Sequence, residues 1–191
     1  MSADDGAAAG PTGGWSTHGR RVRYTSPWMA LELLDVATPD GRRYEHHVAR
    51  LPASSSALVL DEHDRVLLMW KYRVVTDRWG HELPGGMVDP GEAPAAAAAR
   101  ECAEETGWCP VGESEQLLSL EPLPGQVVAP CEVHLWHGAR PSGAPIDPEE
   151  TGEVLWVPLD DVLGLVTKGA LAGAATLAGL TTLLARRAAG V

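Results

Sequence analysis

Residues 86–108 read GMVDPGEAPAAAAARECAEETGW and place four glutamates and one arginine at fixed spacings between glycines. Glu101, Glu104 and Glu105 stand at positions i, i+3 and i+4, so on a helix they share one face. Like charges this close repel one another, which a purely structural helix would avoid. Clustered carboxylate oxygens suit a hard cation such as Mg²⁺ or Mn²⁺. The spacing therefore predicts a cation-binding helix, the alternative being a solvated acidic helix with accidental spacing.

The residues around these glutamates predict where the helix begins and ends. Pro94 fits a first helical turn, where its missing N–H is harmless, and Gly107 is placed to close the helix in the left-handed conformation. Glu92 falls near the first turn, where the positive end of the helix favours an acid. Arg100 lies one turn before Glu104 and is placed to brace that carboxylate.

In these positions the stretch resembles the signature of the Nudix hydrolase family. That signature has a glycine, a glutamate after five further residues, an Arg-Glu pair, a Glu-Glu pair and a closing glycine. Cys102 and Trp108 stand where the family has aliphatic residues, and both are apolar enough to pack. The matching positions are Gly86, Glu92, Arg100, Glu101, Glu104, Glu105 and Gly107. The resemblance implies an α+β fold, a Nudix α/β/α sandwich with a mixed sheet, preceded here by a small N-terminal antiparallel β-sheet.

The composition sets limits on the function. A chain of 191 residues with 45% apolar residues fits one globular domain, or one domain with a small appendage. A net charge of −11 argues against a nucleic-acid partner, but not against a small phosphate substrate, because a bound metal inverts the local field. Three cysteines without metal-ligand spacing suit a reducing cytoplasm. We recognise no signal peptide or membrane span, so we expect a cytoplasmic protein with no membrane partner.

The order of patterns along the chain predicts three segments. Residues 1–17 are small and glycine-rich and are expected to form a disordered tail. Residues 18–52 alternate as strands over 21–25, 28–36 and 43–51, which predicts the N-terminal sheet. Residues 53–191 form the catalytic domain, with strands at 57–60, 65–70, 115–120, 131–137 and 154–157 and helices at 159–167 and 174–187. Residues 122–130 are expected to form a loop.

Two further features resemble the ADP-ribose pyrophosphatase branch of the family. Tyr72-Arg73 ends one strand, and Glu82-Leu83-Pro84-Gly85-Gly86 leads into the signature. That branch also has an N-terminal three-stranded extension and a proline sixteen residues beyond the signature, where Pro124 stands. The resemblance implies a small-molecule nucleotide-sugar substrate, a homodimer, and Mg²⁺ as cofactor, with Mn²⁺ as the alternative.

The resemblance also assigns roles at the reacting centre. Glu101 and Glu105 would be the first metal ligands, Glu104 a further or water-mediated ligand, and the Gly85 carbonyl an additional oxygen. Glu92 would orient the helix and Arg100 rather than bind metal. Arg73 would hold a phosphate through its planar fork of donors.

The general base and the substrate contacts are less closely defined by the sequence. In this branch the base comes from a late acidic loop, and Glu150 is the first choice, with Glu149 and Glu153 as alternatives. The same acids would also suit a solvated surface. Trp28 would stack on the adenine of the partner's site or simply pack in its sheet, and Glu82 would contact a ribose hydroxyl.

The expected reaction is metal-dependent hydrolysis of a nucleoside diphosphate linked to a sugar, with ADP-ribose giving AMP and ribose 5-phosphate. Another nucleotide sugar such as GDP-mannose is the alternative substrate. The alternative class is a non-catalytic ADP-ribose sensor. The intact signature and the lack of a basic winged-helix segment favour the enzyme.

Overall fold

The computed structural model describes residues 13–143 and 152–190, which divide into two compact units. The first unit comprises the chain up to Leu51 together with Leu123–Val128, and the second comprises Pro52–Pro122 and the chain from Ala129 onward. The strands are β1 Ser16–Thr25, β2 Ala30–Ala37, β3 Arg43–Arg50, β4 Ser54–Leu60, β5 Arg65–Arg73, β6 Arg78–Glu82, β7 Gly85–Met87, β8 Trp108–Pro110, β9 Glu115–Leu120, β10 Val127–Val128, β11 Cys131–His137, β12 Ala139–Pro141 and β13 Glu153–Pro158. The helices are α1 Pro94–Thr106, α2 Leu159–Thr167 and α3 Ala174–Ala189.

The first unit is a four-stranded sheet in the order β1-β2-β3-β10. The three long strands are antiparallel, as the alternation over residues 18–52 predicts. The two-residue strand β10 pairs parallel to β3, with Val127 opposite Ala49. The expected loop over 122–130 therefore contributes an edge strand, because two β-branched residues meet the unpaired backbone groups of β3. A pair of residues is too short to show alternation in the sequence.

The second unit is built on a seven-stranded sheet. Its main path runs β13-β5-β4-β11-β9, with β6 beside β5 and β7 beside β4. Strand β11 is parallel to β4, whereas the other pairings are antiparallel, so the sheet is mixed as predicted. A separate two-stranded ribbon joins β12 to β8.

Helices cover both faces of this sheet, because successive residues of each strand point to opposite sides. On one face Ala57 and Val59 of β4 pack against Ala98 and Cys102 of α1. On the other face Leu58 and Leu60 of the same strand join residues of α2 and α3, including Val162, Leu180 and Leu183. The second unit is therefore the α/β/α sandwich that the sequence predicts.

The structure differs from the predicted elements mainly at short strands. Strand β1 begins at Ser16, inside the predicted tail of residues 1–17, and residues 1–12 lie outside the described part of the chain. Strands β6, β7, β8 and β12 have five residues or fewer and were not predicted. Within the described residues, no helix is long and apolar enough to cross a membrane.

Candidate active site

A cleft of about 630 Å³ in the second unit brings together the predicted metal ligands and the predicted phosphate-binding residue Arg73. Strand β5, strand β7 and helix α1 supply its lining. The lining residues are Lys71, Tyr72, Arg73, Gly85, Gly86, Met87, Glu101, Glu104 and Glu105. The cleft therefore brings an acidic helix face together with two basic side chains of β5.

Helix α1 presents its acids to the cleft because its opposite face is small and apolar. Ala97, Ala98 and Cys102 are fully buried against the sheet, and burial raises the pKa of the Cys102 thiol to about 12. The helix begins at Pro94 and ends at Gly107, which has a φ of 71° and donates its N–H to the Ala103 carbonyl at 3.0 Å. Both ends lie where the sequence predicts.

Arg100 is hydrogen-bonded to three carboxylates. Its Nε and Nη2 donate to the two oxygens of Glu92, each at 3.0 Å, and its Nη1 donates to Glu101 at 2.8 Å and to Glu104 at 3.1 Å. Its Nη2 also donates to the Met87 carbonyl at 3.1 Å. The hydrogen bonds that Glu92 accepts from Arg100 and from the N–H of Asp89 hold its pKa below the ordinary value.

The surroundings of Glu101 shift its pKa in the direction opposite to that of Glu92. Burial raises its pKa above the ordinary value, the hydrogen bond from Arg100 opposes this, and the negative charges of Glu105 and Glu104 raise the pKa further. Gly86 makes room for this carboxylate, since a Cβ at residue 86 would lie 2.4 Å from the Glu101 Cδ. The first glycine of the signature therefore has a steric function here.

Glu105 is held by a lysine that the sequence analysis did not single out. Lys71 Nζ forms an ion pair with Oε1 of Glu105, and the Gly85 N–H donates to Oε2 at 2.9 Å. Both side chains of the pair are nearly buried, with 11% and 9% of their surfaces exposed. The sequence does indicate the orientation of Lys71, because it lies two residues before Arg73 on β5 and its side chain must face the same side of the sheet.

Arg73 and Glu82 form a second ion pair beside the acids. Nε of Arg73 donates to one oxygen of Glu82 at 2.8 Å and Nη2 donates to the other at 2.5 Å. This hydrogen bonding raises the pKa of Arg73, and burial opposes the change. The structure therefore joins the predicted phosphate-binding residue directly to the predicted ribose-binding residue.

The predicted metal ligands lie in one cleft, but protein cations hold their carboxylates. Across residues 13–143 and 152–190, no group of three or more His, Cys, Asp or Glu side chains is arranged to hold a metal ion. Arg100 bonds both Glu101 and Glu104, and Lys71 bonds Glu105. The donor set of carboxylate oxygens and the Gly85 carbonyl nevertheless has the hard chemistry that Mg²⁺ and Mn²⁺ prefer.

The remaining predicted residues lie elsewhere. Glu149 and Glu150 fall outside the described residues, and the alternative base Glu153 is an exposed residue at the start of β13. Trp28 and Pro124 belong to the first unit and are exposed. Trp28 precedes β2 instead of lying within it and is 66% exposed, so the prediction that it packs in the sheet is wrong.

Known proteins similar to this chain share its domain type and its fold. The NUDIX domain family matches residues 50–178. The CMP-5'-(N-acetyl-N-hydroxy-3-aminopropyl)phosphonate hydrolase of Streptomyces rubellomurinus is 39% identical over 170 residues, which cover 89% of this chain and 82% of that protein. The ADP-ribose pyrophosphatase of Mycobacterium tuberculosis is 27% identical over 160 residues, 82% of this chain and 77% of that protein. The crystal structure of an ADP compounds hydrolase matches with a TM-score of 0.79 at 20% identity, covering 92% of this chain and 96% of that one, which confirms the fold.

Proposed function

Because this chain belongs to the Nudix hydrolase family, whose domain covers residues 50–178, we propose that it cleaves the phosphoanhydride bond of a nucleoside diphosphate derivative with the help of a divalent cation. One observation carries the proposal: Glu101, Glu104 and Glu105 face the same cleft as Lys71 and Arg73. A cleft with acids on one wall and bases on the other suits a bound cation beside a phosphate chain.

The charges around the cleft support a divalent cation. In the described part of the chain, the ion pairs around the cleft join three cations to five carboxylates. This group has a net charge of −2 when every member is ionised. The cations are Lys71, Arg73 and Arg100, and the carboxylates are Glu82, Glu92, Glu101, Glu104 and Glu105. One Mg²⁺ would balance this excess. Glu101 and Glu105, with Glu104 and the Gly85 carbonyl, are the residues that would hold it.

The cation, when bound, would neutralise the anhydride oxygens and supply an activated water. Arg100 orients Glu101 and Glu104 from one side, while Glu92 holds the opposite edge of its guanidinium. Arg73 would bind a phosphate oxygen through Nη1, which takes no part in its pair with Glu82. Glu150 is the proposed general base, with Glu149 and Glu153 as alternatives, and it would remove a proton from the attacking water.

Two substrates deserve a direct comparison. ADP-ribose, cleaved with water to AMP and ribose 5-phosphate, is supported by the Tyr72-Arg73 pair, the N-terminal sheet and the relative from Mycobacterium tuberculosis. A CMP-linked phosphonate is supported by the higher identity and coverage of the relative from Streptomyces rubellomurinus. We further propose a homodimer in which the exposed ring of Trp28 contacts the nucleoside base, since 66% of its surface is available for stacking.

The deciding experiment is product analysis by ion-exchange chromatography with ADP-ribose, a CMP-linked phosphonate and GDP-mannose, each with Mg²⁺, with Mn²⁺ and with a chelator. We expect metal-dependent release of a nucleoside monophosphate from one of the first two. Trp28→Ala should raise KM for that substrate more than it lowers kcat. A folded protein that binds ADP-ribose but cleaves none of the three would contradict the enzyme and favour the sensor.

A further inference from the structure

The ion pair between Lys71 and Glu105 occupies the carboxylate that the proposed function assigns to the metal. Lys71 comes from β5 and Glu105 from the last turn of α1, so the pair joins the two walls of the cleft. The side chains are 11% and 9% exposed, which makes this the most buried of the ion pairs in the cleft. Glu105 also accepts the Gly85 N–H, which fixes its second oxygen.

We propose that Lys71 is a built-in counter-ion, which occupies Glu105 in the metal-free protein and competes with the divalent cation for that carboxylate. The inference rests on the proposed metal site and adds a positioning residue to it. A carboxylate this buried is costly without a neighbouring positive charge, and the lysine ammonium supplies that charge while the metal is absent. When the cation binds Glu105, the ammonium must leave Oε1 or share it.

A lysine can be displaced from a carboxylate more easily than Arg100, the arginine that bonds Glu101 and Glu104. The Lys71 ammonium is a compact charge on a flexible four-carbon stem and can move away from Glu105 without losing a fixed geometry. Arg100 is fixed instead by two bonds to Glu92 and one to the Met87 carbonyl, so it remains in place. Arg100 therefore orients Glu101 and Glu104 whether or not a metal is bound, whereas Lys71 orients Glu105 only while no metal is bound.

The proposal predicts opposite effects of Lys71 on the metal-free protein and on metal affinity. Without the lysine, Glu105 loses its nearest cation, so the metal-free protein should melt at a lower temperature. The metal would then meet no competing ammonium, so its dissociation constant should fall by about tenfold or more. A residue with a purely structural role would lower the melting temperature without tightening metal binding.

Mn²⁺ titrations of the full chain, read as free Mn²⁺ by electron paramagnetic resonance, test this directly. Lys71→Met is the main variant, and Lys71→Gln, which keeps an N–H donor for Glu105, carries the measurement if Lys71→Met does not fold. The chain has two lysines, and Lys168, which is exposed at the end of α2, provides the matched control Lys168→Met. Thermal melts in a chelator and in saturating Mn²⁺ give the second readout.

We expect tighter Mn²⁺ binding and a larger melting shift for the Lys71 variant, and wild-type behaviour for Lys168→Met. Adding Glu105→Gln should remove the gain in affinity, because the competed carboxylate is then gone. Unchanged or weaker Mn²⁺ binding by the Lys71 variants would overturn the proposal, as would a gain that survives Glu105→Gln. A wild-type protein that binds no Mn²⁺ at this site would instead refute the proposed metal-dependent function, so the two failures are distinguishable.

Discussion

Gly86→Ala provides a sharp test of how the acidic cleft is built, because the three atoms nearest to the added methyl group all belong to the Glu101 carboxyl group. A Cβ at residue 86 would lie 2.4, 2.5 and 2.6 Å from the Cδ, Oε1 and Oε2 atoms of Glu101. Residue 86 does not have a positive φ, so alanine can adopt the backbone conformation without strain. The substitution should therefore move the carboxylate of Glu101 and leave the backbone of β7 in place.

The expected size of the effect follows from these distances. Carbon atoms in van der Waals contact are about 3.5–4.0 Å apart, so the carboxyl group must retreat by roughly 1 Å. A misplacement of about 1 Å in catalytic geometry costs on the order of 10²-fold in rate, or about 2.7 kcal/mol of barrier. The Glu101 side chain is 19% exposed and ends in a movable carboxylate, so the free energy of unfolding should change by about 1 kcal/mol or less.

The assay is kcat on the substrate identified by product analysis, paired with urea unfolding of the same preparations. Gly164→Ala is the neutral control, because among the described residues no atom other than those of its chain neighbours and the surrounding helix backbone lies within 4 Å of its Cβ, and alanine favours helix α2. Gly85→Ala is the structural control, since its Cβ would lie 2.4 Å from the Ser55 carbonyl oxygen and 2.7 Å from the Ser56 Cα. These backbone atoms cannot retreat easily, so Gly85→Ala should lose about 1–3 kcal/mol of stability.

The three glycine variants therefore separate a displaced carboxylate from a damaged fold. We expect Gly86→Ala to be stable and about 10²-fold slower, and Gly164→Ala to be stable and fully active. If Gly86→Ala retained wild-type kcat, Glu101 would not need its present position, and its assignment to the metal site would be refuted. If Gly86→Ala lost as much stability as Gly85→Ala, the steric argument itself would fail.

Three further predictions follow from contacts in the second unit. Glu105→Gln should abolish metal-dependent turnover while circular dichroism shows an intact fold, and near wild-type turnover would contradict the site. Arg100→Met should lower kcat by about 10²-fold through loss of carboxylate orientation, with about 1–2 kcal/mol less stability in urea, whereas an unchanged kcat would make Arg100 structural alone. Burial would raise the pKa of Asp61, but hydrogen bonds from Arg65 and His63 lower this pKa below its ordinary value of 3.8. The ionised Asp61 therefore stabilises the fold above pH 3.8, and this stabilisation is lost as the pH falls through the lowered pKa. Asp61→Asn should therefore cost about 1 kcal/mol at pH 7 and less at pH 3, and a cost that grows on acidification would contradict the assignment.

The sequence predicted the elements whose patterns are long. Helix α1 was predictable because a proline, a run of alanines and a closing glycine indicate the same helix boundaries. The long strands β4, β5 and β11 were predictable because apolar residues continue through each of them. The shared face of Glu101, Glu104 and Glu105 followed from helical spacing. The placement of these acids therefore needed only local geometry.

The contacts that join distant segments were not predictable in the same way. Lys71 lies 34 residues before Glu105, and nothing local to either residue indicates their pairing. Strand β10 exists because β3 leaves an edge to be paired, and β7 because β4 does. Such features depend on the assembled sheet, so the acids of the site were predictable from local spacing, whereas the ion pair between Lys71 and Glu105 was not.

The pairing of the acids explains how a helix face with three close glutamates is stable without a metal. Helical neighbours of like charge destabilise a helix, and at Glu101 the pKa is raised first by burial and further by the negative charges of Glu105 and Glu104. Arg100 bonds the two outer acids and Lys71 bonds the most buried one, so each glutamate has a nearby cation. The cations differ in how firmly they are held, because Glu92 and Met87 anchor Arg100 through contacts that a metal on the other acids would leave intact. When a divalent cation replaces Lys71 at Glu105, Glu101 and Glu104 would therefore already be oriented by Arg100. Metal binding would then require the movement of one flexible lysine side chain and no rearrangement of helix α1.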